Sequence, residues 1–405
     1  MAPISLSGPD ADTPPLALVL AAVTLVQAIA SMGMLSFSVI APSAALSLGV
    51  GAELIGLQIS LAYIAATCCS VPAGTLVRRW GAVRASQLAL LLCTAGTAVA
   101  ASGYLVLAAV GSVLIGLGYG LTNPAASHLL FRFTPPHRRN LVFSLKQTGV
   151  PLGGICAGLV LPRLTVGFGW PVALLAVSVV GAVLAVLLLP VRASWDTDRQ
   201  PGLAIRADLT EGPRMVWRAR PLRLLSVTAF CFSGLQLCLV SFLVTMLVTE
   251  LDYSLVLAGT VAAVAQAAGV VGRIVWGWIA DRMESALGVL IMVAVTSALA
   301  CGLTAVLHPG WPASMVVALF LGFGLSAIGW NGVFLAEVAR LAPAGTVGMA
   351  TGGALAFTFA GVAVGPTVFS GLYTVVGSYT TMFIFPGLLM IVSLGLLRAA
   401  HREST

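Results

Sequence analysis

The chain has 405 residues, of which 59% are hydrophobic and only 8% charged, and its mean hydropathy is +1.05. Soluble globular proteins carry roughly 25% charged residues, so this composition excludes a soluble fold and points to an integral membrane protein. The formal charge of +7, from 20 basic and 13 acidic side chains, would suit nucleic acid, but basic residues in a membrane protein collect on the cytoplasmic side; their placement decides between the two.

The first fifteen residues, MAPISLSGPDADTPP, lack the basic start of a secretory signal and read as a short flexible tail. A helix crosses the hydrocarbon in about 20 residues. Apolar runs of that length, bounded by charge, Pro or Gly, fall at 16–42, 53–77, 85–103, 106–131, 142–166 and 170–191, then at 222–249, 255–280, 285–307, 312–338, 345–374 and 379–398. The one long polar interruption, ASWDTDRQPGLAIRADLTEGPRMVWRARP, separates the two sets of six. The expected organisation is a tail over 1–15, a six-helix bundle over 16–192, a linker over 193–221, a second six-helix bundle over 222–398 and a tail over 399–405.

Alternate loops are basic. Arg78, Arg79 and Arg84 follow the second span, and Arg132, Arg138 and Arg139 the fourth. Arg192, Arg199, Arg206, Arg214, Arg218, Arg220 and Arg223 occupy or flank the linker. Arg282 follows the eighth span, Arg340 the tenth, and Arg398 and Arg402 the last, whereas the intervening loops hold only Arg163. The positive-inside rule then places both termini and the linker in the cytoplasm, as in a multi-pass protein of the cell inner membrane. Topology accounts for the net charge, and no nucleic-acid partner is expected.

All seven cysteines (Cys68, Cys69, Cys93, Cys156, Cys231, Cys238 and Cys301) fall inside apolar runs and read as small buried packing residues, without disulfide or zinc spacing. There is no G-x-x-x-x-G-K-[ST] loop for ATP, no His/Cys metal constellation and no nucleophile, histidine and acid pattern. Neither an enzyme nor a metal or cofactor is expected.

The halves repeat. GTLVRRWG (Gly74 to Gly81) after span two corresponds to GWIADRM (Gly277 to Met283) after span eight at an offset of 203, and Asn123 of span four corresponds to Asn331 of span ten at an offset of 208. In transporters built from parallel repeats, the substrate site lies near the bilayer midplane where the halves meet.

Gly74, Leu76, Arg79, Gly81 and Arg84, with Gly277, Asp281 and Arg282 in the second copy, resemble the G-x-L-x-D-R-x-G-R-like loop motif of the major facilitator superfamily, and the resemblance covers essentially the whole chain. It implies an all-α integral membrane fold of 12 transmembrane helices in two pseudo-symmetric six-helix bundles, working by alternating access. The first copy departs from the motif at Arg78, where the family has an acid, so it is expected to contribute less to the inward gate than the copy that keeps Asp281. The motif glycines are expected to let neighbouring helices approach. Glu337 and Arg340 resemble the family's cytoplasmic Glu-x-x-Arg feature, with Glu337 pairing to Arg340 or Arg282. GVPLGG (Gly149 to Gly154) and GVAVGP (Gly361 to Pro366) read as hinge or close-packing elements, the former only partly resembling the G-x-x-x-G-P pattern of drug/proton antiporters.

Two cations lie inside spans. Arg273 sits eight residues, or roughly 12 Å of helix, before Asp281. An arginine near a helix centre costs about 2.5 to 3.5 kcal/mol, so it should face protein or a water-filled cavity. Yet no Asp or Glu occupies the middle of any span, and an anion-facing role follows. Lys146, the chain's single lysine, lies about 9 Å along span five from Asn140; it either snorkels to water or faces the cavity. With both in the cavity, the Arg fork would take a carboxylate in bidentate fashion and the Lys would act as a point charge.

Polar residues able to complete a site are Gln27, Tyr119, Asn123, Gln147, Gln236, Gln266, Trp330 and Asn331, each equally able to make a packing hydrogen bond between helices. His128 reads as a polar contact at the cytoplasmic end of span four. The position of Arg273 is similar to that of the substrate-binding arginine of the oxalate/formate and monocarboxylate branches, although GALAFTFAGVAVG in span eleven lacks the lysine some of them use. The expected function is secondary or facilitative transport of a small, monocarboxylate-like organic anion by a monomer. Exchange, facilitated diffusion and coupling to protons are all admissible. The alternatives are efflux of drugs or amphiphiles through an apolar cavity with Trp276 and Trp330, and a non-transporting membrane sensor, for which a longest loop of about 30 residues leaves little extramembrane domain.

Overall fold

In lipid every backbone N–H and C=O must be paired within the chain, so apolar runs can cross only as helices or closed barrels. The computed structural model takes the helical solution. It describes residues 14–51, 54–135, 139–203, 211–343 and 347–404; the first thirteen residues, Arg138, Arg206 and Thr405 lie outside the described residues.

In chain order the helices are α1 (Leu16–Leu48), α2 (Ile55–Trp80), α3 (Ala82–Ala100), α4 (Leu105–Phe133), α5 (Arg139–Gln147), α6 (Gly149–Phe168), α7 (Trp170–Leu187) and α8 (Leu189–Trp195), then α9 (Glu211–Arg218), α10 (Arg220–Glu250), α11 (Leu255–Met283), α12 (Ala286–Ala305), α13 (Ala313–Ala327), α14 (Asn331–Leu341), α15 (Val347–Val376), α16 (Tyr379–Met382) and α17 (Ile384–Ser404). Eleven spans pass on length and apolarity, and α2, bent between Gln58–Ser70 and Pro72–Trp80, is the twelfth. The bend falls at Pro72, which lacks an N–H and crowds the preceding turn. The fifth, tenth and twelfth spans are each built from two helices: α5 with α6, α13 with α14, and α16 with α17.

With twelve spans, the chain starts and ends on one face of the membrane, here called the termini side. Several helices outrun the sequence-derived spans: α1 continues through Pro42 to Leu48, and α11 runs to Met283 rather than residue 280. Hydropathy counts only the hydrocarbon-crossing part, while the helix continues to where water can pair its last carbonyls.

Each bundle is drawn together by glycines at crossing points. A Cβ on Gly116 of α4 would lie 2.0 Å from the Ala62 carbonyl oxygen of α2, and one on Gly324 of α13 would lie 2.1 Å from the Ala265 carbonyl oxygen of α11. Between the bundles, α6 packs along α11, α2 along α15 and α1 along α10. The span-five and span-eleven glycine elements pack inside their own bundles: Gly153 of α6 abuts the Ala28 carbonyl of α1, and Gly361 of α15 the Phe230 carbonyl of α10. The loop-motif glycines behave differently from expectation, since a Cβ on Gly74 or Gly277 would meet nothing within 4 Å. Neither is closely approached by another helix among the described residues. The close approach falls instead at Gly81, which has φ 104° and whose Cβ would collide with the Asp196 side chain.

Two further readings change. Cys68 and Cys156 are exposed and Cys69 is half-buried, while the other four are buried; an apolar run in a membrane helix includes outward-facing positions that lipid covers. The linker also begins as ordered structure. Asp196 accepts from the backbone N–H groups of Val83 (2.8 Å) and Arg84 (3.1 Å), capping the first turn of α3. Arg132 donates to the Trp195 carbonyl, Thr197 Oγ1 and Asp198 Oδ1, and His128 Nε2 lies 2.7 Å from Asp198 Oδ2. The Gln200 N–H donates to the Arg78 carbonyl at 2.7 Å. The first part of the linker is thus a strap across the termini-side ends of α2, α3 and α4.

Candidate functional site

Two clusters of amide, indole and charged side chains among the described residues lie inside the spans. The first lies in the first bundle and reaches toward α11. Gln27, on α1 and wholly buried, presents Oε1 to Thr122 Oγ1 of α4 at 3.1 Å and to Lys146 Nζ of α5 at 3.0 Å, while its Nε2 donates to Ser31 Oγ at 3.4 Å. Lys146 is only 3% exposed and also donates to Asn123 Oδ1. It therefore points inward instead of snorkelling. Both its acceptors are neutral amide oxygens, and no described carboxylate pairs with it.

Arg273 enters this region from α11. Its Nη1 donates to the Gln147 backbone oxygen at 3.0 Å, at the break between α5 and α6 where that carbonyl has lost its helical partner. Its Nε is buried and has no hydrogen-bond partner. A guanidinium offers five donors in a fixed fork, and among the described residues only Nη1 is engaged, so the Nε–Nη2 edge is unpaired, with Nε covered by protein. That edge is the one a carboxylate meets with two parallel hydrogen bonds. The charge of Arg273 also falls on Tyr119, whose ring stands edge-on to Tyr63 at 5.9 Å and 72°, with Ser31 beside its hydroxyl.

The second cluster belongs to the other bundle. Helices α13 and α14 break at Ile328–Trp330, and Gln236 Oε1 of α10 accepts from Trp330 Nε1 at 3.0 Å and Asn331 Nδ2 at 3.3 Å. Trp330 is fully buried, edge-on to Phe232, and Trp276 donates its Nε1 to the Leu325 carbonyl at 2.8 Å. Gln266 lies two turns from Arg273 toward the far side. It packs against Gly154 and lines a cavity of ≈ 20 Å³ with Ser38, whose buried hydroxyl has no partner. That volume holds about one water.

The structure therefore gathers Arg273, Lys146, Gln27, Tyr119, Asn123 and the Gln147 peptide, whereas Gln236, Trp330 and Asn331 form a separate neutral group and Gln266 stands apart. Sequence reading missed Ser31, Tyr63 and Thr122, because a lone hydroxyl in an apolar helix carries no signal until the neighbouring helix is known. It missed Ser60 and Thr367 for the same reason: Ser60 Oγ on α2 bonds Thr367 Oγ1 and the Ala363 carbonyl on α15, joining the bundles near the far side. At the termini side, Glu337, 2% exposed, takes a fork from Arg340 (2.6 and 2.8 Å), and Arg282 lies over the Trp278 ring at 5.2 Å. Arg79 reaches the Leu203 carbonyl at 3.5 Å, and Asp281 is exposed.

Comparison with known proteins fits this architecture. Residues 23–352 match the sequence profile of the Major Facilitator Superfamily. The chain belongs to that superfamily. Its members are transporters, so the protein is a multi-pass membrane transporter and not an enzyme. The superfamily member is 24% identical over 258 residues to the hexuronate transporter of Bacillus subtilis, covering 61% of this chain and 60% of the relative. It is 40% identical over 76 residues to the 4-hydroxybenzoate transporter of Pseudomonas aeruginosa, covering 19% and 17%. The chain thus spans less than two thirds of either relative. Among solved structures, a bacterial homologue of the human lysosomal transporter Spinster, inward-facing and occupied, superposes with a TM-score of 0.75 at 16% identity over 95% of this chain and 97% of that one. That likeness concerns the fold.

Proposed function

We propose that this transporter carries a small, monocarboxylate-like organic anion by alternating access, with Arg273 as its principal binding group. The supporting observation is the guanidinium itself: it sits inside the membrane span, has no acid partner among the described residues, and leaves its buried Nε donor unpaired. An uncompensated cation in this setting is costly, and an arriving carboxylate offsets the cost. The substrates in the names of the two relatives above, a hexuronate and 4-hydroxybenzoate, both carry a carboxylate, although a further relative is named for a neutral hexose. Lys146, one residue from the carbonyl that holds Arg273, adds positive potential. Gln27, Tyr119, Asn123 and Gln147 line the same site, while Gln236, Trp330 and Asn331 form their own neutral group in the other bundle and Gln266 lies two turns from Arg273.

The moving bodies are residues 16–192 and 222–398, with 193–221 between them. The bundles meet through Ser60 and Thr367, through Gly158 against Gly259, and through the Arg273–Gln147 bond. These contacts lie from the far side to mid-membrane, which supports a site open toward the termini. By the arginine distribution, that side is the cytoplasm, and the membrane is the cell inner membrane. Gly74, Arg79, Gly81, Arg84, Gly277, Asp281, Arg282, Glu337 and Arg340 all lie there, where the opposite gate closes. Drug efflux fits less well, since Trp276 and Trp330 are buried and hydrogen-bonded instead of walling an open cavity.

The test is a thermal-shift screen of the purified protein against mono- and dicarboxylates, amino acids and cationic drugs, because a ligand that binds only the folded form raises its stability. Hits are followed by uptake into proteoliposomes. Stabilisation by a monocarboxylate that disappears in Arg273→Ala is expected; full uptake of that anion by Arg273→Ala protein overturns the proposal.

A further inference from the structure

Helix α9 is amphipathic, and its apolar face is already taken by protein. Val216 is wholly buried, with Met215 and Ala219 packed against the core. The opposite face carries Arg214, Trp217 and Arg218, which at spacings of three and four residues share one side of the helix. All three are exposed, Trp217 by 53%. One face of the Trp217 ring stacks on Phe357 of α15, with centroids 5.8 Å apart and planes within 4°. Arg223 stands 5.6 Å from the same ring and donates its Nη1 to the Trp217 carbonyl at 3.4 Å. Arg214 and Arg218 make no hydrogen bond, ion pair or ring contact with any described residue. Between residues 211 and 223 there are four arginines and a single acid, Glu211.

We infer that this face of α9 docks the headgroups of anionic phospholipids in the leaflet on the termini side. The position requires a lipid neighbour: α9 ends at Arg218 and the seventh span begins at Arg220, so the helix sits at the edge of the bilayer. The chemistry selects the headgroup. Tryptophan, with a flat apolar body and a polar N–H, settles at the headgroup level. Guanidinium forks match phosphate oxygens, and a basic cluster beside a span is drawn to an anionic leaflet by about fivefold in affinity per arginine. Because Trp217 also stacks on α15, a bound headgroup steadies α9 against a helix that joins the two bundles. The inference is independent of which solute is carried.

The experiment uses the full-length protein in phosphatidylcholine nanodiscs containing a minor fraction of either brominated phosphatidylglycerol or brominated phosphatidylcholine. The Trp217 signal is the emission difference between unaltered protein and Trp217→Phe. Expected is stronger quenching by the anionic brominated lipid, falling as salt is added, with the preference lost in R214Q/R218Q and kept in R214K/R218K. Equal quenching by both lipids in the unaltered protein, absence of any quenching, or loss of the preference in the lysine variant overturns the proposal. The salt titration of unaltered protein decides the question even if the glutamine variant fails to fold.

Discussion

The two halves of the molecule share one frame and differ in charge. In both, a glycine of the fourth helix lets a carbonyl of the second helix approach: Gly116 against Ala62, and Gly324 against Ala265. In both, a glutamine on the first helix accepts from consecutive positions of the fourth, or from the lysine that a neighbour there holds. Gln27 takes Thr122, with Asn123 sharing its lysine, and Gln236 takes Trp330 and Asn331. Thr122 and Asn123 correspond to Trp330 and Asn331 at the offset of 208 that relates the spans. The first half then adds Lys146 to its glutamine, while the second keeps its glutamine neutral and places Arg273 where the first half has Ser70. The crossing geometry is common to both halves because a Cβ at either glycine would force the helices apart. The charges are not subject to that constraint, and they are where the halves have separate roles.

Arg273→Ala is the strongest way to break this comparison, since it removes the second half's distinguishing group. Truncating a partner of a desolvated charge contact costs about 2–5 kcal/mol, so anion uptake or binding should fall roughly 30-fold or more, with insertion unchanged on membrane fractionation. Next come Gly116→Ala and Gly324→Ala. Each should lower stability by about 1–3 kcal/mol through overpacking, and their losses in detergent unfolding should match each other. Unequal losses would show that the shared frame is not energetically shared.

Gln27→Leu and Gln236→Leu sharpen the difference instead. The first leaves Lys146 with Asn123 as its one amide acceptor and should cost about 1.5–3 kcal/mol; the second leaves neutral donors unmet and should cost about 1–2. Thermal unfolding of the two variants compares them, and a larger loss for Gln236→Leu would reverse the assignment of charge to the first half.

The smallest effect concerns the strap across the first half. Burial pushes the Asp196 carboxyl up from its ordinary value, against the two backbone donors that favour the ionised form. The folded protein then holds that proton more tightly than the unfolded chain. Its contribution to stability is present below the ordinary carboxylate value of about 3.9 and declines as pH rises from there through the raised folded value. Asp196→Asn should flatten this part of the melting-temperature profile by under about 1 kcal/mol, while keeping an acceptor for Val83.

The sequence by itself determined the membrane class, the twelve spans and the duplication, because hydrocarbon admits only helices of a set length and a repeat leaves its glycines and asparagines at fixed offsets. It also marked Arg273 and Lys146, since ionised groups are rare enough inside a span to stand out one residue at a time. Only the tertiary structure decided that Lys146 points inward to Gln27 and Asn123, that Arg273 crosses to the carbonyl of Gln147, and that Asp196 closes over Gly81 from 115 residues away. Those facts depend on which faces of separate helices meet. In a membrane helix nearly every face is apolar, so the periodicity that reveals the buried face of a soluble helix is missing from the sequence. The hydrogen bond between helices takes its place, and it exists only once the helices are packed.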